Sequence, residues 1–559
     1  VVEGKEHRRL DIACFVNGLP LAIVELKDAV NADATLLRAF NQIQTYKTSI
    51  PTFFRYNGAI VISDGMEARI GSLTAGFDRF APWRTVDGRD IADKGEAELE
   101  TIIKGVFHPD RFLDLVVNFG AYEVRDGAAR AKKLAGYHQF HAVNKAVRAT
   151  ESATVTSSHK AGVIWHTQGS GKSLTMAFYA SKLERSERLR NPTVVVVTDR
   201  NDLDDQLFGT FADHPDLFRV TPENAEDRED LRQKLNRASG GIVFTTMQKF
   251  APEGEARNDV ISDRENIIVI ADEAHRTQYG LGARIDKKTG QTRYGLAVHL
   301  RDMLPKATFI GFTGTPIELV GRDTYQVFGD VIDTYDIAQS VEDGATVPIY
   351  YTARLVQLHL DVDARAVLDE GSDELLEGEE ETERERHKSK WSRLEAVAGA
   401  PERIKIVAGD IVSHFESRRD AMGGGKGMVV AMSRRIAVAL YDEIAKLRPE
   451  WAEGGGMNVV MTGNASDPAE FKPHIRKKSE NKKLANRFKA PDDPFNLVIV
   501  RDMWLTGFDA PCLHTLYVDK PMRGHGLMQA IARVNRVFGE KPGGLIVDYM
   551  GLGAELQQA

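Results

Sequence analysis

Ala161-Gly162-Val163-Ile164-Trp165-His166-Thr167-Gln168-Gly169-Ser170-Gly171-Lys172-Ser173 is the stretch on which the fold turns. The apolar run Ala161–His166 predicts a buried strand, and Leu174–Ala180 predicts a helix. A glycine-rich turn between them aims backbone N–H groups at phosphate oxygens, and the helix adds the positive end of its dipole. Thr167, Gly169, Ser170 and Gly171 are therefore candidate phosphate ligands. Lys172 would reach the β- and γ-phosphates of ATP, and the Ser173 hydroxyl would take a Mg²⁺ position. His166 stands where the pattern has its first glycine. A chance glycine-rich turn is the bland alternative, and Gly-Lys-Ser directly after an apolar strand argues against it.

Working outward, short β-branched runs recur, each followed by a turn and an amphipathic stretch. Thr193–Thr198, Gly241–Thr245, Ile267–Ala271, Thr308–Phe312 and Met428–Met432 are examples. Continuous apolar runs of this length, alternating with helices, predict parallel strands buried on both faces, an α/β architecture. Four regions are expected: residues 1–125, a first α/β block 126–340, a connecting segment 341–400, and a second block 401–559. Within the connector, Asp361–Lys390 is dense in charge and reads as a solvated loop or helix. Gly423-Gly424-Gly425 and Gly454-Gly455-Gly456 read as surface loops. Asp272-Glu273-Ala274-His275 follows the run Ile267–Ala271 directly. A carboxylate at that edge suits Mg²⁺ held through water, and its neighbour suits polarising an attacking water. Asp272 is thus a candidate metal ligand and Glu273 a candidate catalytic group.

These segments resemble superfamily 2 helicases and translocases. Thr313-Gly314-Thr315-Pro316 is similar to the coupling motif of that superfamily. Thr506-Gly507-Phe508-Asp509 resembles its second nucleotide-facing motif, bringing in Gly507 and Asp509, as the acidic box brings in His275. Gln529 to Arg536 resembles the closing motif with two arginines, although Ala532 and Asn535 replace its usual glycines. Arg533 and Arg536, read as i, i+3 on a helix, would face one site and stabilise charge on the γ-phosphoryl group. Gln139 resembles the glutamine that reads adenine. The resemblance implies two RecA-like motor domains.

Asp11 opens a strand, Asn17-Gly18 signals a hairpin turn, and Leu19–Leu26 returns with Glu25-Leu26-Lys27. Alternation puts Glu25 and Lys27 on one face. Gln42 and Tyr46, i and i+4 on a predicted helix, also share a face. Asp11 and Glu25 with a lysine could hold Mg²⁺ and orient water at a phosphodiester, but alone the pattern is common on surface strands. The surrounding residues, from Asp11-Ile12 through Phe15-Val16-Asn17-Gly18-Leu19-Pro20-Leu21 to Lys27, with Ala39-Phe40-Asn41-Gln42-Ile43, resemble the nuclease core of type I restriction subunits. Trp165–Ser173 and Asp502–Asp509 carry the same likeness. It implies a PD-(D/E)xK-type nuclease domain over residues 1–125, in which Gln42 and Tyr46 form the family's Gln-x-x-x-Tyr element. It further implies an ATP-dependent translocase and endonuclease acting on double-stranded DNA. Methyltransferase and specificity subunits would be its partners, with S-adenosylmethionine bound only by them. The family's first nuclease helix and C-terminal helical region are expected to lie outside this sequence, which starts at Val1.

At 42% hydrophobic and 28% charged, the 559 residues have material for several cores. The net charge of −8 gives no global sign of nucleic-acid binding, so phosphate contacts must come from local basic surfaces. Cys14 and Cys512 are the only cysteines, which argues against a disulfide framework or a zinc site and fits a reducing cytosol. No apolar run is long enough to span a bilayer, and no signal peptide is visible. Two other readings differ in chemistry: a helicase or remodeller whose N-terminal domain only binds, and a scaffold with a dead nucleotide site. Intact Asp11, Glu25 and Lys27 oppose the first, and Lys172, Asp272, Glu273 and Arg536 oppose the second.

Overall fold

The computed structural model describes residues 1–28, 35–93, 98–125, 127–198, 201–250, 260–274, 284–285, 292–293, 296–314, 322–354, 394–463, 467–505, 508–522, 524–539 and 541–553. The charged segment Asp361–Lys390, His275, Thr315-Pro316 and Thr506-Gly507 lie outside them. The chain divides into two compact units, Val1–Thr346 and Val347–Ala559.

The first unit opens on a four-stranded mixed sheet. Strands β1 (Ile12–Val16) and β2 (Leu19–Leu26) form the expected hairpin. Asn17 and Gly18 both have positive φ, 49° and 80°, the turn whose twist matches the strands it joins. Helix α1 (Leu36–Ser49) buries Leu36, Ala39, Ile43 and Tyr46. Strand β3 (Ala59–Ser63) then pairs parallel to β2, and β4 (Ala68–Gly71) antiparallel to β3.

After an antiparallel hairpin, β5 (Gly120–Arg125) with β6 (Ala128–Leu134), comes helix α2 (Tyr137–Ala153). A parallel sheet follows, built from β7 (Lys160–His166), β8 (Thr193–Thr198), β9 (Glu223–Asn224), β10 (Ile242–Thr246), β11 (Ile267–Ala271), β12 (Thr308–Thr313) and β13 (Val331–Tyr335). Its seven strands run in the order β9-β10-β8-β11-β12-β7-β13. Every residue of β8, β10, β11 and β12 is buried, as the continuous apolar runs require. One core joins Ala22, Val24 and Val61 of the first sheet to Val196 and Ile270 of the second, with Phe140 of α2 and Phe178 of the helix after β7 packed among them.

The second unit is a six-stranded parallel sheet. Its strands are β14 (Ile349–Ala353), β15 (Lys426–Ala431), β16 (Met457–Val460), β17 (Leu497–Val500), β18 (Leu513–Asp519) and β19 (Gly544–Asp548), in the order β14-β19-β18-β15-β17-β16. Helix α3 (Lys172–Arg185) follows β7 in the first unit. In the second, α4 (Pro401–Met422) precedes β15, α5 (Arg434–Leu447) follows it, α6 (Lys478–Lys489) precedes β17 and α7 (Gly524–Ile531) follows β18. Both glycine triplets lie in loops, as expected.

Candidate functional site

The turn between β7 and α3 has the geometry its glycines permit. Gly169 and Gly171 stand at φ 104° and 87°, the left-handed region that side chains disfavour. Gly171 caps α3, whose first N–H groups have no partner within the helix. A Cβ at Gly171 would meet the Gln139 amide nitrogen at 2.9 Å, so helix α2 packs directly on the loop. The Ser170 hydroxyl donates to the Thr167 carbonyl at 2.7 Å, which folds the loop on itself. Ser173 sits half-buried in the first turn of α3.

Asp272 and Glu273 leave the carboxyl end of β11 beside this loop. The Lys172 ammonium lies 3.8 Å from an Asp272 oxygen and 3.4 Å from a Glu273 oxygen. Glu273 adopts φ 50°, a strained backbone for a side chain of this type. Ala274 is wedged against the backbone of β12, where a Cβ on Gly311 would approach the Ala274 methyl to 2.8 Å. On the other side, a Cβ on Gly314 would come within 3.3 Å of the Lys172 nitrogen.

Several anchors of the loop escape a reading of the sequence. His166, fully buried, contacts Asp333 of β13 through Nε2 at 3.1 Å, and Lys145 of α2 donates to the other Asp333 oxygen at 2.6 Å. The odd residue of the glycine pattern thus ties the loop strand to the edge strand. Tyr335 accepts the Thr167 N–H at 2.8 Å through its carbonyl and stacks on His138, with ring centroids 4.0 Å apart. His138 in turn contacts the Ser170 carbonyl at 3.0 Å, and burial pushes its pKa down to about 3, so it is neutral. Asp343 accepts from the Tyr137 and Tyr335 hydroxyls at 2.6 and 2.8 Å, with buried Arg84 at 3.5 Å. The one signal available from sequence was the departure at His166. Gln139 donates to the Gly171 carbonyl and the Thr175 hydroxyl, and accepts the Gly136 N–H.

In the second unit the two arginines part. The sequence reading set them on one helix, but α7 ends at Ile531 and the chain turns. The Arg533 and Val534 amides reach back three residues to Ala530 and Ile531, the tightened bonding of a helix end. Buried Arg533 points inward and donates to the Phe508 carbonyl. Arg536 is partly exposed and pairs with Asp509 at 2.9 Å. Trp504 stacks on Phe508 at 4.2 Å, bracing the segment that carries Asp509.

The hairpin β1–β2 brings its expected residues together. Asp11 accepts the Leu26 N–H at 2.8 Å. Lys27 donates to Glu25 at 2.7 Å and to the Gln42 carbonyl oxygen at 2.8 Å. Gln42 passes the chain on, donating to the Tyr46 hydroxyl, which donates to the Arg9 carbonyl at 2.9 Å. Glu25 is fully buried, with its second oxygen unpartnered. Burial raises its pKa and Asp11 pushes it further up, while Lys27 opposes both. An orphaned carboxylate oxygen beside a second carboxylate fits a divalent cation. Among the described residues no group of three or more His, Cys, Asp or Glu forms a metal cage. Two carboxylates suit Mg²⁺, which keeps waters and phosphate oxygens in its shell.

A phosphate loop and acidic box at the carboxyl edge of one parallel sheet, followed by a second parallel sheet, define a motor ATPase of the helicase-like class. Residues 138–385 match the SWI2/SNF2 ATPase family, residues 1–79 the N terminus of the type I restriction enzyme R protein, and residues 460–551 domain 3 of that subunit. The chain belongs to the R-subunit family of type I restriction enzymes and carries a SWI2/SNF2-type ATPase core of two RecA-like domains. It is 50% identical over 98% of its length to the type I restriction enzyme HindI endonuclease subunit of Haemophilus influenzae, covering 52% of that protein. It is 39% identical over its whole length to the putative MjaIXP endonuclease subunit of Methanocaldococcus jannaschii, covering 53%. The chain thus spans about half the length of the relatives it matches. Among solved structures, a fragment of a putative HsdR subunit from Vibrio vulnificus matches with TM-score 0.48 and 18% identity, covering 96% of this chain and 82% of that one. No helix among the described residues is long and apolar enough to cross a membrane.

Proposed function

We propose that this chain is the motor and nuclease part of an ATP-dependent restriction subunit, which pulls double-stranded DNA and cleaves it away from a recognition site. The observation that carries the reading is the pair of separately built sites. Lys172 lies against the Asp272 and Glu273 carboxylates, while Glu25, Lys27, Gln42 and Tyr46 form a second cluster on their own hairpin. We divide the chain into a nuclease domain, residues 1–125, and motor domains 126–340 and 401–559, joined by residues 341–400, of which Ile349–Ala353 is an edge strand of the second sheet.

In ATP hydrolysis, the loop from Thr167 to Ser173 holds the phosphates and Lys172 leaves its carboxylates for the β- and γ-phosphates. Glu273 orients the attacking water and takes its proton, while the bond from the γ-phosphorus to the bridging oxygen breaks. Mg²⁺, held near Ser173 and Asp272, would supply charge neutralisation on the phosphates. Gln139 contacts the adenine, and the roles proposed for His275 and Gly507 in nucleotide binding and for Arg536 in offsetting γ-phosphoryl charge follow from the resemblance of their motifs. Arg533 is the positioning residue that holds the Asp509 segment. At the nuclease site, Asp11 and Glu25 would hold Mg²⁺, which would supply charge neutralisation at the phosphodiester. Lys27, oriented by Gln42 and Tyr46, aligns water and offsets phosphate charge.

The proposed partners are duplex DNA and the methyltransferase and specificity subunits, which would bind S-adenosylmethionine and choose unmethylated sites. The proposed compartment is the cytosol. Lys172→Ala tests the motor half: DNA-stimulated ATP turnover should fall to background while the fold is kept, because the point charge on the phosphates is lost. Turnover near the wild-type rate would contradict the assignment.

A further inference from the structure

Between Lys472 and Lys489 eight lysines and arginines stand against one carboxylate, Glu480, in a chain whose net charge is −8. Arg476 and Arg487 among them serve the fold, and the Lys489 ammonium lies 5.1 Å from the centre of the Phe508 ring. Arg476 donates to the Val459 carbonyl at 2.9 Å and to Asn458 at 2.8 Å, pinning the segment to β16. Arg487 pairs with Asp493 at 3.0 Å. Leu484 and Phe488 are the buried face of α6. Lys477, Lys478, Lys482, Lys483 and Lys489 are exposed.

The helical repeat gathers three of these into a stripe. Lys478, Lys482 and Lys489 fall within about 40° of one another around α6, and the stripe is about 16 Å long. Other exposed helices neutralise their lysines locally, as Lys104 with Glu100, Lys234 with Asp230 and Lys446 with Glu443. On α6, Lys482 and Lys483, with Lys477 just before it, meet no carboxylate in an ion pair among the described residues. The start of the segment also lies at the working edge of its sheet, and from there α6 runs back to the amino end of β17. It follows the carboxyl end of β16, and the loop carrying Asp509 leaves the carboxyl end of neighbouring β17.

We infer that the exposed face of α6 and the turn before it dock the phosphate backbone of duplex DNA. The inference rests on the translocase reading and names the surface that serves it. Flexible ammonium groups act as point charges and suit phosphates in sequence-independent contact. A protein partner would call for an aromatic or aliphatic anchor, and a single strand for an aromatic stacking platform. No large hydrophobic side chain on this helix is exposed.

The test is a Lys477→Gln, Lys482→Gln, Lys483→Gln triple variant of this chain, with binding to a labelled duplex followed by anisotropy as salt is raised. Exposed changes of this kind leave stability nearly untouched, and an unchanged melting midpoint checks it. Each lost contact should reduce the slope of log K against log salt by about 0.9, so a loss of roughly 2 to 3 is expected. Affinity should fall at least about tenfold, equally for unrelated sequences. An unchanged slope in a chain that still binds duplex overturns this surface and spares the translocase reading. Loss of association with the methyltransferase core at unchanged slope would mark a protein interface and also overturns it. A wild-type chain with no affinity for duplex at low salt would overturn both.

Discussion

At Glu25 a carboxylate is folded out of water with one oxygen on Lys27 and the other unpartnered, a costly arrangement unless something else completes it. Its raised pKa gives the cost a sign. Ionisation is harder in the folded state, so the stability linked to this group is present at low pH and is lost as pH rises through the raised value. In buffer free of divalent cations, the melting midpoint of wild type should therefore fall relative to Glu25→Gln as pH rises from the ordinary carboxylate range toward neutrality. Adding Mg²⁺ should restore the wild type and leave the variant unmoved. Parallel pH profiles with no Mg²⁺ response would remove Glu25 from the cation site. Arg536 invites a different measurement, because it meets Asp509 while Arg533 is turned inward. Arg536→Ala should cut turnover by about 10³-fold or more with nucleotide binding kept. A loss of affinity at unchanged turnover would misplace it.

Strands and helices differ in how much of them could be read in advance. Leu19–Leu26, Thr193–Thr198 and Ile267–Ala271 fall where the apolar runs put them. A strand buried on both faces has no polar interruption to blur its ends. The closing arginines were misread because helical spacing was continued through Ala532 to Asn535, where the chain turns. The contacts of His166 and Tyr335 were invisible for another reason. They depend on β7 pairing with β13, whose Asp333 is far along the chain, and no local pattern reports that. Packing between strands also carries a prediction. Gly311 of β12 leaves room for Ala274, directly after the acidic box. Gly311→Ala should cost about 1–3 kcal/mol in chemical denaturation and slow ATP hydrolysis, because an added methyl pushes the box off the lysine. Unchanged stability and turnover would show that the contact has slack.

On the scale of the molecule, the hairpin proposed as the nuclease and the sheet proposed as the first motor domain share one core, while each site keeps its own residues. With the proposed function, that arrangement would let pulling and cutting be separated by a single side chain. Glu25 and Lys27 touch neither the phosphate loop nor the acidic box, so changing them should leave the motor running. Glu25→Ala deletes a proposed Mg²⁺ ligand and leaves Lys172, Asp272 and Glu273 as they were. The family likeness was legible because its motifs recur in order along almost the whole chain, and chemistry keeps such segments short and local. The measurement that tests the account most directly uses the full-length subunit assembled with the proposed partners, a methyltransferase and specificity core. Triplex displacement reports translocation and plasmid linearisation reports cleavage, both with Glu25→Ala beside wild type. The account predicts displacement at the wild-type rate with linearisation abolished, and linearisation by Glu25→Ala at the wild-type rate would contradict it.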